Sequence, residues 1–328
     1  MLARVKDILL NIELGAGATH ENLTMFPLVG GATPGVGYFS LDEAVGRRLL
    51  EVTEVSESGE VPNLKVTNKG ERPILILAGE ELVGAKQNRL VNATFLLAGL
   101  TSIVMPVSCV EQGRWRYRGK AFNSERRMSS PQLRARVEEN VKCSMREGRG
   151  FRADQSEVWN EISHKMARMQ VASPTMAMAD MYDSYDDQLR RYTQNFKPAE
   201  GQQGLLMAIN GRVAGLELFD SPGSLSKYFD KVLVSYALDA IDHKNGKRPT
   251  DRLAARAQTW MAELLEAPVR TRPSLGLGFD LRLEGERLTG SGLLFEDSVL
   301  YLSAFTLTQI SQPQDGTPIA RYGLRRRL

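Results

Sequence analysis

Histidine and cysteine are scarce in this chain, with three and two residues among 328. His20, His164 and His243 lie far apart in sequence. That argues against a histidine-based metal centre and leaves a carboxylate-bound Mg²⁺ or Mn²⁺ as the metal to consider. Cys109 and Cys143 stand 34 residues apart, a spacing that fits no zinc motif, and two cysteines make no disulfide framework. A reducing cytoplasm is therefore the expected compartment. Long apolar runs are missing too. Ile8-Leu9-Leu10 is broken by Asn11 and Glu13, so neither a signal peptide nor a membrane span is expected. No HExxH, GxSxG or GxxxxGK[ST] occurs, which removes the common zinc-protease, serine-hydrolase and P-loop readings. Charge of one sign is also lacking overall: 42 Lys and Arg face 39 Asp and Glu, a net of +3 that sets up no global field.

What is present is an ordinary globular composition, 42% hydrophobic and 25% charged, in a chain long enough for one large domain or two smaller ones. The expected architecture is α+β, a largely antiparallel, sandwich-like β-sheet with a helical insertion and a C-terminal αβ portion. Residues 1–120 read as β-rich, 121–200 as the helical insertion and 201–310 as an αβ part closing the same core, with a basic tail over 311–328. Val5 to Leu14 alternates weakly, as a strand would. Ser40-Leu41-Asp42-Glu43 is a capping box that predicts a short helix through Leu50. Leu50 to Val55, Val61 to Asn68, Pro73 to Ala78 and Leu90 to Leu97 read as strands, with Pro34-Gly35-Val36-Gly37 and Asn68-Lys69-Gly70 as turns. Helices are expected from Ser130-Pro131, from near Asp154 and from Ser173-Pro174. Asn210-Gly211 predicts a hairpin and Ser221-Pro222 another helix, ended by the polar run His243 to Lys247. A further helix is expected from Thr250-Asp251, then closing strands over Phe279 to Leu283 and Gly292 to Phe305.

Chemistry concentrates between Gly79 and Trp115. One polar block, Glu80, Glu81, Lys86, Gln87, Asn88 and Arg89, follows the apolar run Pro73 to Ala78. A second, Ser108, Cys109, Glu111, Gln112, Arg114 and Trp115, follows Ser102 to Val107. Glu80 and Glu81 would point to opposite faces of a strand, so one of them with Glu111 would make a carboxylate pair for acid/base work or for Mg²⁺. Glu80 and Glu111 are the catalytic candidates. Gln87 and Asn88 can read base or nicotinamide edges, while Lys86, Arg89 and Arg114 suit phosphate. Trp115 can stack on a base or ribose, or lie buried under the sheet. Cys109 is a nucleophile candidate only if a base such as His164 packs near it; the competing reading is a small buried apolar side chain. From Gln112 to Arg152 twelve Lys and Arg stand against four acids, interleaved with Trp115, Tyr117 and Phe122. That run is either a landing strip for RNA or a phosphorylated ligand, or a solvated face.

These same residues resemble the ADP-ribosylglycohydrolase- and rhodanese-phosphatase-associated protein domain family. The resemblance lies in Gly79-Glu80-Glu81-Leu82 with Gly84 to Arg89, and in Pro106 to Glu111 with Gly113-Arg114-Trp115. It continues through Asp154-Gln155, Val158-Trp159, Ser173 to Thr175, the 204–219 hairpin, Ser235 to Ala240 and Leu302 to Phe305. The family is named for the domains it accompanies, and that company implies the handling of NAD-derived ADP-ribose, or of RNA ends and nucleotides. Three readings follow. One is an enzyme acting on a nucleotide or ADP-ribose-type phosphoester or glycosidic linkage. The second is a non-catalytic nucleotide- or RNA-binding module. In the third, a scaffold, the polar blocks are structural networks.

Overall fold

The computed structural model describes residues 2–31, 36–56, 60–116, 119, 121–244 and 252–307. The Pro34-Gly35 turn, the Asn245 to Lys247 helix end, the Thr250-Asp251 helix start and the basic tail lie outside the described residues.

The chain opens on α1 (Leu2–Leu10), not on a strand. Val5, Ile8 and Leu9 share one helical face and bury it against the same apolar cluster as Trp260 and Leu264, so the 3–4 spacing wins over the weak alternation. Short strands β1 (Glu13–Leu14) and β2 (Ala18–His20) flank β3 (Leu23–Val29). After β4 (Phe39–Ser40) comes α2 (Leu41–Gly46), shorter than expected but capped as expected. The Ser40 hydroxyl accepts from Glu43 N at 3.2 Å and the Glu43 carboxylate from Ser40 N at 2.8 Å.

Next come β5 (Leu50–Glu54), β6 (Asn63–Asn68), β7 (Ile74–Ile76), β8 (Glu80–Gly84), β9 (Arg89–Val91), β10 (Phe95–Leu97), β11 (Ser102–Cys109) and β12 (Phe122–Met128). The single strand expected over Leu90 to Leu97 is thus two, and residues 122–128 are strand, not helix. Two side chains hold the break between β9 and β10. Asn92 donates to Phe151 O at 3.2 Å, and the Thr94 hydroxyl accepts from Ala78 N at 3.0 Å. Six of these strands form a sheet in the order β12-β8-β9-β11-β6-β5, and a Thr53–Ala121 bridge brings its two ends together. The sheet curls into a barrel-like cup around Val52, Leu64, Val66, Leu82, Val91 and Val107. A small sheet, β10-β7-β4, packs on it.

Helices α3 (Pro131–Arg146), α4 (Gln155–Met169), α5 (Ala179–Ser184) and α6 (Asp186–Thr193) follow. Asp154 caps α4 as expected. The helix expected from Ser173-Pro174 starts only at Ala179, because residues 173–178 are held elsewhere. Met178 N donates to Val110 O and Gly113 N to Thr175 O, each at 2.8 Å. Tertiary pairing to the second polar block overrides the local helix signal.

β13 (Gln202–Ile209) and β14 (Arg212–Phe219) turn at Asn210-Gly211, both at positive φ (51° and 72°), as a tight hairpin turn requires. Then come α7 (Pro222–Asp242), α8 (Leu253–Glu266), β15 (Val269–Pro273), β16 (Phe279–Glu284), β17 (Leu288–Phe295) and β18 (Ser298–Thr306). The run Gly292 to Phe305 is two strands folded at Glu296, which sits at φ 53°. These complete a nine-stranded antiparallel sheet, β1-β3-β13-β14-β18-β17-β16-β15, with β2 beside β3. The fold is α+β. Helices α1 and α8 cover one face of this sheet, and α3, α4 and α7 fill the space between its other face and the cup. Among the described residues no helix is long and apolar enough to cross a membrane.

One buried ionic cluster ties α3 to the large sheet and to the first polar block. Arg134 donates to Glu217 at 2.7 Å, to Ser235 at 3.1 Å and to Ser129 O at 3.0 Å; Tyr236 and Tyr301 also donate to Glu217. The aliphatic stem of Arg134 runs over Gly79, where an added Cβ would come within 2.5 Å of its Cδ. Gly79 is also at φ 89°, so a glycine is needed there on both counts.

Candidate functional site

The two polar blocks meet. β8 and β9 are an antiparallel pair joined by the turn 85–88, and β11 lies on the other side of β9. Asn88, in the turn, uses every polar group it has to join them. Its N–H donates to Glu111 Oε2 at 3.1 Å and its amide N–H to Glu81 Oε1 at 3.3 Å. Its amide oxygen accepts from Arg114 at 3.2 Å, and its carbonyl accepts from Val110 N at 3.0 Å.

Glu111 is buried and fully satisfied. Arg114 Nε donates to its Oε1 at 2.8 Å, Arg114 NH2 lies 2.7 Å from its Oε2, and the Thr175 hydroxyl donates at 3.1 Å. Burial would raise its pKa, but these donors outweigh that and hold the carboxyl below its usual range. The remaining Arg114 donors go to the carbonyls of Ala85, Arg116 and Gly84 at 2.7, 2.8 and 3.2 Å. Arg114 therefore closes a turn and pairs an acid, with no N–H left over for phosphate.

Glu81 differs. It is fully buried, and its Oε2 accepts no hydrogen bond. The nearest cation is Arg127, 3.9 Å away. Burial, with the neighbouring charges of Asp183 and Glu111, lifts its pKa to about 7 against the pull of Arg127 and Asn88. Arg127 reaches it because β12 carries a bulge between Ser124 and Met128, with Arg126 at φ 56°. Arg127 is 23% exposed and bonds Asp183 at 2.6 Å, so the Glu81 carboxyl is one side chain from solvent.

Glu80 points the other way, as alternation along a strand requires. Its Oε2 accepts from Leu77 N at 2.7 Å, and its Oε1 pairs with Lys231 of α7 at 2.5 Å. Lys231 also pairs with Asp42 at 2.5 Å. Burial raises the Glu80 pKa, with Lys231 opposing and Asp42 reinforcing. The structure thus brings Glu81, and not Glu80, to Glu111.

The remaining candidates sit on the cup side of the turn. Arg89 is buried and bonds Gln87 at 2.8 Å, and Lys86 lies 5.2 Å from the centre of the Trp115 ring. Trp115 is 49% exposed, not buried under the sheet. Cys109 is buried and its thiol donates to Glu111 O at 3.3 Å; burial pushes its pKa up, opposite to what a nucleophilic thiolate needs. Gln155, the first residue of α4, brackets the Cys109 backbone with two hydrogen bonds of 2.7 and 2.8 Å, while His164 is exposed further along that helix. The cations of the 112–152 run do not share one surface: Arg114, Arg134 and Lys142 are buried. Among the described residues no group of three or more His, Cys, Asp or Glu is placed to hold a metal.

Sequence reasoning missed Arg127, Asp183, Thr175, Lys231 and Asp42. Arg127 carried a signal only as one cation of the 112–152 run, Asp42 only as part of the capping box, and Thr175 only through the Ser173 to Thr175 match; Asp183 and Lys231 carried none.

Residues 11–305 match the ARG and Rhodanese-Phosphatase-superfamily-associated Protein domain, and the chain belongs to that family. No curated protein matches the chain. No solved structure matches it.

Proposed function

We propose that this member of the family is an enzyme acting on a nucleotide or ADP-ribose-type ligand, with Glu81 as the proton-transferring carboxyl. The observation that carries this reading is the contrast between two linked carboxyls. Glu111 is held ionised by Arg114, while Glu81 sits near neutrality with one oxygen unpaired. Carboxyls pushed apart in this way divide acid and base roles, and a group poised near the working pH both gives and takes a proton. Arg127 supplies positive charge beside Glu81, while Lys86 and the Trp115 ring lie across the hairpin on the cup side, where a ring face is offered to a base or ribose. Asn88 orients Glu81. Hydrolysis of a glycosidic or phosphoester bond is the reaction class that suits these groups.

Purified protein is incubated with NAD, ADP-ribose, ADP-ribosylated peptide and mononucleotides, with and without Mg²⁺, and products are separated by chromatography. Glu81→Gln is expected to lose turnover while keeping ligand-induced thermal stabilisation. Loss of both, or of neither, would count against the role.

A scaffold reading is favoured by one specific observation: the complete pairing of Glu111, Arg114 and Asn88, as in a buried network that fixes a fold. It predicts no stabilisation by any of these ligands.

A further inference from the structure

One end of the cup holds a second set of buried charged atoms without hydrogen bonds. Val52, Val91 and Val107 line its interior, and alternation carries the same face on to Glu54, Arg89 and Cys109. Arg89 NH2 stands 3.7 Å from Glu54 Oε1, too far for a hydrogen bond, and both side chains are at least 96% buried. Both Glu54 oxygens, together with Arg89 Nε and NH2, have no nitrogen or oxygen hydrogen-bond partner, and the Cys109 sulfur is the group beside the guanidinium. A buried carboxylate and guanidinium left this way are costly, and the mouths of β-barrels are recurrent ligand sites. Trp115 lies over the Arg89 side of the pair, its ring centre 5.8 Å from the guanidinium carbon.

We propose that Glu54 and Arg89 form a guanine-recognition subsite at the mouth of the cup, with Trp115 as its stacking wall. Two free acceptors beside a fork of free donors are the complement of an edge with two adjacent donors followed by two adjacent acceptors. Guanine presents that edge: N2–H and N1–H for the carboxylate, then O6 and N7 for the arginine. Adenine offers one amino group between two acceptors, uracil one N–H between two carbonyls, and cytosine one amino group beside two acceptors. Each would leave a Glu54 oxygen unpaired. Trp115 turns outward to admit the base and then lies against its face, with the Lys86 ammonium beside it. The inference rests on the nucleotide reading above and narrows it, since ADP-ribose carries adenine.

The test is calorimetric titration of the full chain with GMP, IMP, 7-deaza-GMP, AMP and ADP-ribose. GMP is expected to bind most tightly. IMP, which lacks the N2 amino group, and 7-deaza-GMP, which lacks N7, should each bind about tenfold more weakly. Glu54→Gln should collapse the GMP-to-IMP ratio towards one. Should that variant fail to fold, the ligand series on the unaltered protein decides alone. ADP-ribose or AMP binding as tightly as GMP overturns the guanine inference and leaves the Glu81 reading standing. Equal affinity for GMP and IMP also overturns it. Absence of binding by all five overturns both.

Discussion

Replacing Glu81 by glutamine should change how stability depends on pH. An ordinary glutamate titrates near 4.5, whereas burial lifts Glu81 to about 7. Between these values the folded chain holds a proton that the unfolded chain has released. Each pH unit upward then costs the folded state about 1.4 kcal/mol. The favourable contribution is fully present below pH 4.5, is lost as pH rises through about 7, and stays lost above it. Over that window the loss amounts to roughly 3 kcal/mol. Glu81→Gln has no proton to release. Urea unfolding of both proteins from about pH 4.5 to about pH 8.5 therefore gives a difference that moves in the variant's favour by roughly 3 kcal/mol and flattens above about pH 7. Glu80, Asp220 and Asp280, whose pKa values are also raised by burial, occur in both proteins and cancel. A difference that stays level within about 1 kcal/mol would refute the reasoning, because it would mean that Glu81 titrates as an ordinary glutamate. A difference of opposite sign would mean that Arg127 holds Glu81 as an anion.

Two more outcomes are expected. Arg114→Ala leaves the Glu111 carboxylate buried without its guanidinium, and urea unfolding should show a loss of about 3–5 kcal/mol. A loss within about 0.5 kcal/mol would mean that Arg114 behaves as a surface residue. An aromatic disulfide reagent should modify Cys143, which is exposed, in the native protein and Cys109, which is buried, only after denaturation. Rapid native modification of both thiols would restore the nucleophile reading of Cys109.

Much of the local structure was legible because caps and turns act within a few residues. Ser40, Asp154 and Asn210-Gly211 perform the roles their types predict. The elements misread are those set by distant partners. Residues 173–178 have a helix-start signal but pair with Val110 and Gly113, and α1 is helical because its apolar face meets α8. The polar blocks were legible as a cluster of unusual residues. Which of Glu80 and Glu81 lies with Glu111 was not, since the cations that sort them arrive from elsewhere: Lys231 lies 151 residues beyond Glu80, and Arg127 depends on a bulge.

The distribution of unpaired charged atoms bears on the choice between scaffold and site. A network kept only to fix a fold is expected to be satisfied throughout, because each unpaired buried charge weakens it. Glu80, Glu111 and Arg114 meet that expectation. Among the described residues five charged side chains keep a buried atom without a hydrogen bond: Glu54, Glu81, Arg89, Glu161 and Asp220. Three of the five belong to one region, on β5, β8 and β9. Glu81 lies on the helix side of the β8–β9 pair, linked to Asn88, and Arg89 and Glu54 lie on the cup side beneath Trp115. Strand alternation places Glu81 and Arg89 on opposite faces of one rigid hairpin, with Glu54 reaching Arg89 from β5, while the satisfied groups between them hold the hairpin in shape. On the proposed reading, structural pairing at Glu111 and unpaired capacity at Glu81 and Arg89 are two parts of one arrangement, and a scaffold would need only the first.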